Sequence, residues 1–403
     1  MNPEGELEWL TLKVHEGLGS IAAKDWDHLG GNDDPFLSHA FLCTLETTDC
    51  LEPHGWFPRH LVIHDELGRP VAATPLYVKT NSYGEFVFDW SWASAYERAG
   101  LSYYPKLVSA IPYTPVTGSR LLIAPRMPAA KKHLLRKFLI QETIALTQKN
   151  DISSMHWLFT DETDTALLDQ QGLMLRLGCQ YHWRNRGYFE FDSFLAELSS
   201  KKRKKIKRER RRIAEAGIRM KIFHGDEIDN TVLDTFYEFY VATFERHMGI
   251  PTLSREFFHN AAHSLGRRFM LVMAEYENQW VAGAVHFLSD TTLYGRYWGC
   301  RDTFHSLHFE TCYYQGIEYC ISRGLSRFEP GAQGEHKISR GFLPTPTWSA
   351  HWISNDFMRP HLEAFCRHEK QIMQAQCDSL QSHSPYKSSF GDHQSNDGID
   401  SLA

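Results

Sequence analysis

The side chains best equipped for chemistry fall in two stretches. Between Phe328 and Arg340 the chain carries Glu329, Gln333, His336, Lys337 and Arg340 in and around a Gly-rich run, Pro330-Gly331-Ala332-Gln333-Gly334-Glu335. Glu329 and His336 can accept a proton directly or through water, as can Glu310 upstream, and Lys337 and Arg340 can hold a carboxylate or phosphate, Arg with a two-pronged contact. Each has an ordinary alternative: Glu329 as a salt-bridge partner at a strand end, Glu310 as an acid favoured by the helix dipole, the cations as solvated charges after a turn. The second stretch is Lys201 to Arg212. Of the 43 Lys and Arg in the chain ten lie here with Glu209 the one acid, leaving 33 bases against 48 acids elsewhere. Such a segment concentrates phosphates around it, whether they belong to a coenzyme, a tRNA or a membrane surface. Lys202, Arg203 and Lys205 are its phosphate-binding candidates, against the alternative of a solvated helix face.

The elements that must position these groups can be read from periodicity. Lys202, Ile206 and Ile213, with Gly217 closing the segment, predict one helix over the basic run. From His308 to Arg323 the apolar set Phe309, Cys312, Tyr313, Gly316, Ile317 and Cys320 predicts a second helix, with Gly324 as its C-terminal cap. Ser326 to Glu329 then reads as a short strand entering the Gly-rich loop. Strand, helix, strand and polar loop form a crossover unit, which places chemistry at the carboxyl ends of the strands. On the preceding strand, Tyr294, Arg296 and Trp298 alternate and should share one face, and Arg296 is hard to bury without an anion.

A repeat decides the architecture. Leu61-Val62-Ile63 and Val71-Ala72-Ala73 flank a turn at Asp65 to Arg69, and Leu271-Val272-Met273 and Val281-Ala282-Gly283 flank one at Glu277-Asn278-Gln279. Each hairpin continues into a further strand, ending near Phe86-Val87-Phe88 and near Tyr294 to Tyr297, and each follows a helical stretch, Trp26 to Cys50 and Leu233 to Leu265. The expectation is an α/β fold with mixed sheet in two tandem units, residues 9–180 and 187–370, the second opened by the basic helix at 200–214. A disordered tail is expected at 379–403. At 403 residues two domains are also the prior from length.

Several function classes are disfavoured. No apolar run suits a signal peptide or membrane span, so a cytoplasmic protein is expected. Eight cysteines without a C-x-x-C pair suggest reduced thiols, and the 22 histidines form no H-E-x-x-H motif, so neither disulfides nor a metal site is expected. There is no G-x-S-x-G elbow and no P-loop.

The order hairpin, third strand, helix, strand resembles the GNAT acyltransferase core, and the tandem arrangement with Lys202-x-x-x-Ile206 resembles the FemAB-like aminoacyl transferases. Closer still, Tyr103-Tyr104-Pro105-Lys106, Pro112 to Gly118, Leu293 to Gly299, His308-Phe309-Glu310 and Gly331 to Lys337 are similar to signatures of bacterial FemAB-like N-acyltransferases, often labelled peptidoglycan biosynthesis proteins. The resemblance implies transfer of an acyl or aminoacyl group to a small-molecule or peptidyl amine. Glu329, His336 and Glu310 are then the catalytic candidates. Tyr103, Tyr104, Lys106, Tyr294, Arg296, Trp298, Gln333, Lys337 and Arg340 are the substrate-binding ones, all around one cleft, with Lys202, Arg203 and Lys205 on the donor phosphate. No tightly bound cofactor is implied; acyl-CoA or aminoacyl-tRNA would be a co-substrate, and tRNA rather than DNA the nucleic-acid partner. The GNAT pyrophosphate signature is not found in Gly299 to Ser306, and no heptad insertion marks a helical arm, so both donors stay open. The competing class is a non-catalytic GNAT-fold module that binds nucleic acid or an anionic surface through the basic helix.

Overall fold

Two apolar hairpins, each covered by a pair of helices, build the layers. The computed structural model describes residues 10–30, 33–301, 304–332 and 334–387. In the second unit the helices Asn230–Arg246 and Arg255–Leu265 precede the antiparallel arms Phe269–Tyr276 and Gln279–Leu288. Glu277 and Asn278 both take positive φ between the arms, as a two-residue hairpin turn requires. Then follow the strand Thr292–Cys300, a helix from Leu307 to Arg323 and the strand Arg327–Glu329. The helix is interrupted by a π-helical turn, Glu310–Tyr314.

The first unit repeats this order with a break in each arm. Its helices are Ala23–Gly30 and His39–Thr47, and its arms are split into Trp56–Pro58 and His60–His64 against Pro70–Thr74 and Tyr77–Lys79. The break falls at Pro75, which has no N–H to give the ladder, and Arg59 N donates to Leu76 O at 2.7 Å across it. The outer arms join a four-stranded sheet and the inner pieces enter an eleven-stranded one. The third strand is Lys106–Ser109, not the stretch ending at Phe88, which is loop. Glu85 and Asp89 turn inward there and the aromatic residues turn outward, the reverse of what an alternating strand would do.

The large sheet is closed by exchange. Arg327–Glu329 pairs with Met174–Arg184, a strand contributed by the first unit, and Ser154–Thr160 of the first unit pairs with Leu343–Ile353, contributed by the second. The two exchanged strands pair with each other from Leu343↔His182 to His351↔Met174. A boundary at 180–187 therefore cuts through a strand that serves both units. One apolar core likewise runs through both, joining Trp26, Phe36 and Phe41 to Phe257, Phe287 and Tyr294.

The basic run is helical over Ser200–Glu215, with Ile206, Glu209 and Ile213 on its buried face and Gly217 in the left-handed region after it. The C-terminal helix Met358–Ser382 continues past 370 and past the expected start of the tail, and Tyr386 pairs with Leu198. Order thus extends through residue 387, and residues 388–403 lie outside the described residues. Ending the chain after Gly341 would remove the exchanged strand and leave Ser154–Thr160 unpaired along one edge. The expected outcome is loss of a cooperative thermal transition by circular dichroism, and a truncated chain that melted like the full one would show the exchange to be dispensable.

Candidate active site

The site forms where a parallel strand pair parts. Thr292–Cys300 and Arg327–Glu329 are in register for three residues, Thr292↔Arg327, Leu293↔Phe328 and Tyr294↔Glu329, and then diverge. At the point of parting the longer strand carries a bulge: Val285 faces Tyr297 and His286 faces Gly295, so Arg296 is the extra residue. A bulge re-aims the side chains beyond it. Tyr294 and Tyr297 consequently share the face that packs on the unit's helices, while Trp298 lies on the other, with its ring 5.2 Å from His308. The expectation that Tyr294, Arg296 and Trp298 share one face fails at this bulge.

Among the described residues, polar atoms around the parting point are buried without protein partners. Glu329 is 1% exposed and neither carboxylate oxygen accepts a hydrogen bond among the described residues. Arg327 Nε approaches to 3.1 Å out of hydrogen-bond alignment, and His182 Nε2 lies 4.0 Å away. Burial raises the Glu329 pKa, and the charges of Arg327, Arg296 and Arg184 oppose the rise. Arg296 Nη1 donates to Gly295 O at 2.8 Å and reaches Glu329 O at 3.4 Å, while Nε and Nη2 are buried and unpaired. Its guanidinium sits 5.0 Å from the centre of the Phe36 ring and 5.4 Å from that of Tyr294. Burial holds His182 neutral; its Nε2 lies 3.2 Å from Gln180 Oε1 and its Nδ1 has no partner. Asp34, which accepts from Phe36 N at 2.8 Å, is close enough to Glu329 to feel its charge. Gly118 stands beside it, where a Cβ would come within 2.9 Å of Asp34 Oδ2.

Lys337 is the second unusual group. It is 3% exposed, donates to Gly331 O at 2.8 Å, and has its pKa brought down to about 7 by burial, with Arg296 adding to the fall. His336 is exposed, with Nε2 3.0 Å from Tyr313 Oη and its ring near those of His308 and Phe309. Burial lowers the His336 pKa and brings that of His308 to about 4.

Glu310, expected as a base, is engaged elsewhere. Arg210 Nε donates to both of its oxygens at 3.2 Å and Gln315 Nε2 to one at 2.8 Å. Arg340, expected on substrate, is 1% exposed and fully committed to Glu209, Tyr314, His336 O and Ser339. Gln333 lies outside the described residues. Tyr103, Tyr104 and Lys106 do not face this cleft. The strand of Lys106 is four places from that of Glu329 in the sheet, about 19 Å at the usual strand spacing. There Lys106 Nζ binds Glu85 at 2.8 Å, Ser82 at 3.1 Å and Asp89, Tyr103 Oη donates to Asp89, and Tyr104 Oη lies 2.7 Å from Ser82 Oγ. Lys205 of the basic helix lies 4.0 Å from Glu209 with its side chain 40% exposed, and Lys202 and Arg203 are half-buried one turn earlier. Asp34 and His182 were not foreseen. His182 had a signal, since Gln180 and His182 place two polar groups on one face of a strand otherwise suited to the sheet interior.

Two hairpin, strand, helix and strand units, the second with its parallel pair parting at a bulge, define a tandem fold of the GNAT type. The chain belongs to the FemAB-like family, whose model, described as peptidoglycan biosynthesis/recognition, matches residues 17–388. Among solved structures FemX is similar at 12% identity, covering 85% of this chain and 98% of its own, with a TM-score of 0.52. The C-terminal domain of a putative lysylphosphatidylglycerol synthetase from Agrobacterium fabrum is similar at 8% identity, covering 87% and 96%, with a TM-score of 0.51. No curated protein matches the chain.

The lowered pKa of Lys337 has a consequence for stability. Between about pH 7 and the unfolded value of 10.5, the unfolded chain binds a proton that the folded chain lacks. The destabilisation is therefore fully present below pH 7 and lifts as pH rises toward 10.5. Lys337→Met is expected to raise the melting temperature by roughly 5 °C at pH 6, with the gain over the parent shrinking by pH 10. A pH-independent difference in parallel melts would contradict the burial argument.

Proposed function

We propose that the protein transfers an acyl or aminoacyl group from a phosphate-bearing donor to an amine, with the reacting carbonyl held where the strands 292–300 and 327–329 part. The observation that carries this reading is Glu329: a buried carboxylate with a raised pKa and, among the described residues, both oxygens free of hydrogen bonds, beside a guanidinium with unpaired N–H groups. A base poised in this way takes a proton from the attacking amine, directly or through one water. Nitrogen then bonds to the carbonyl carbon, and the bond from that carbon to the donor's sulfur or oxygen breaks. Arg296 supplies N–H donors for the oxygen that gains charge, and the Lys337 ammonium, with a pKa near 7, supplies a proton to the leaving group. The edge of strand 292–300 beyond Tyr294, unpaired with 327–329, offers backbone groups to an extended donor arm.

The basic helix supports a phosphate-bearing donor. Five cations, Lys201 to Lys205, occupy its first residues against the helix dipole, an arrangement that an anion would relieve. The family description and the fold shared with FemX favour a peptidyl amine of a cell-wall precursor as acceptor. Among the described residues no helix is long and apolar enough to cross a membrane.

Thermal-shift screening against acetyl-CoA, longer acyl-CoAs and aminoacyl-tRNA identifies the donor, because a ligand that binds only the folded state raises its melting temperature. With that donor, Glu329→Gln is expected to lower kcat about 100-fold or more at unchanged donor shift. The acidic limb of the rate profile, set in the parent by a carboxyl titrating above the ordinary glutamate range, should vanish in the variant. Turnover within twofold of the parent would remove Glu329 from the mechanism. Replacing Lys202, Arg203 and Lys205 together by Gln should weaken the donor and flatten its salt dependence; unchanged affinity at low salt would leave the helix as a soluble face.

A further inference from the structure

The single acid within the cationic run Lys201 to Arg212 is buried, which is unusual for a residue with ten cations around it. Glu209 is 4% exposed and lies on the inner face between Ile206 and Ile213. It accepts from Arg340 Nη2 at 2.9 and 3.1 Å and from Tyr314 Oη. Arg340 in turn donates from Nε to Tyr314 Oη at 3.0 Å and from Nη1 to the backbone carbonyl of His336 at 2.9 Å, with its guanidinium 3.3 Å from the centre of the Phe309 ring. The helical turn Glu335–Arg340, which carries His336 and Lys337, is thus tied to the basic helix through one carboxylate. Lys205, exposed on the helix, shares that carboxylate from 4.0 Å.

Resting on the acyl-transfer reading above, we infer that Glu209 is a positioning residue that couples phosphate binding on the basic helix to the placement of Lys337. With no phosphate bound, Glu209 divides its charge between Lys205 and Arg340. An anion that draws Lys205 outward leaves Glu209 wholly to Arg340, which tightens the hold on His336 O and fixes the turn. The same ion pair holds the π-helical turn through Tyr314, so donor site and reacting centre are set by one contact. A carboxylate is needed because two donors and a hydroxyl converge on it; an amide can accept at only one atom.

The test uses the full chain and inorganic pyrophosphate, with hydrogen exchange of residues 335–340 read by mass spectrometry, so that it stands apart from any turnover assay. In the parent, saturating pyrophosphate is expected to slow exchange in this segment about tenfold. Lys205→Gln, a change at a side chain 40% exposed, leaves Glu209 wholly to Arg340 and should raise the basal protection toward the pyrophosphate-bound level and lose the further response. Glu209→Gln should lose both, while exchange in the strand Phe269–Tyr276 stays at the parent rate. A Lys205→Gln protein that still responds in full, or a Glu209→Gln protein with parental exchange at 335–340, overturns the proposal. Should Glu209→Gln fail to fold, the Lys205→Gln arm alone decides. If the coupling is seen while the parent turns over no acyl or aminoacyl donor, the acyl-transfer reading falls and the coupling stands.

Discussion

The pairing of the two exchanged strands at the centre of the large sheet is the constraint from which the site follows. Met174–Arg184 reaches out of the first unit to flank Arg327–Glu329, and by doing so sets His182, held by Gln180, beside Glu329. A strand at the edge of an isolated second unit would leave the Glu329 carboxylate facing water, where its pKa would stay ordinary. Enclosure by a strand from the other half converts a common residue into one with raised proton affinity. The shared core around Phe36, Phe287 and Tyr294 does the same for Arg296, which is packed between Phe36 and Tyr294.

Two buried lysines show how pairing decides what burial means. Lys106 is 0% exposed but has Glu85 and Asp89 against it, and these partners raise its pKa in spite of desolvation. Lys337 is 3% exposed and, among the described residues, has only a carbonyl as hydrogen-bond partner, and its pKa falls from 10.5 to about 7. That fall corresponds to about 5 kcal/mol of disfavoured charge. Nothing in packing requires such a cost when a methionine would fill the space, whereas proton transfer near neutrality does require a group that titrates there. The first cluster is a paired strut, whereas the second has the titration that the proposed proton transfer would use.

Much of this was legible in the residues, and the failures have physical causes. Periodicity placed both hairpins, the helix after His308 and the basic helix, because each hides one apolar face and ends at a glycine or a turn. Phe86-Val87-Phe88 misled because its alternation is real but inverted: Glu85 and Asp89 are buried on Lys106, so Phe86 and Phe88 are left 39% and 50% exposed. The bulge at Arg296 leaves no mark in composition, yet it turns Trp298 away from Tyr294. Glu310 and Arg340 have the right chemistry for a site, and what removes them from it is partnership with Arg210 and Glu209, residues 100 and 131 positions distant in the chain. The exchange of strands was equally invisible, since local pattern carries no information about which half a strand will join.

The two units differ at the point where the parallel pair parts. In the second unit the parallel pair parts after Tyr294 and Glu329, and the edge of the longer strand is left open. In the first unit the equivalent pair runs from Leu107↔Met155 to Ser109↔Trp157, and the chain then fills the gap itself. The segment Pro112 to Gly118 doubles back so that Gly118 N donates to Phe159 O at 3.0 Å and Asp161 N to Gly118 O at 3.1 Å, restoring the ladder. Tyr113 Oη donates to Cys50 O and Gln180 Nε2 to Pro115 O, which lock that plug to the rest of the molecule. The Pro-Tyr-Thr-Pro-Val-Thr-Gly motif is therefore a filler of the first parting rather than a wall of the second. It still serves the site at a distance, because Gly118 stands against Asp34 and Gln180 holds His182. Duplication supplied two partings; closing one with backbone made a rigid half against which the open one could keep buried Glu329 and Arg296 atoms free of hydrogen bonds among the described residues.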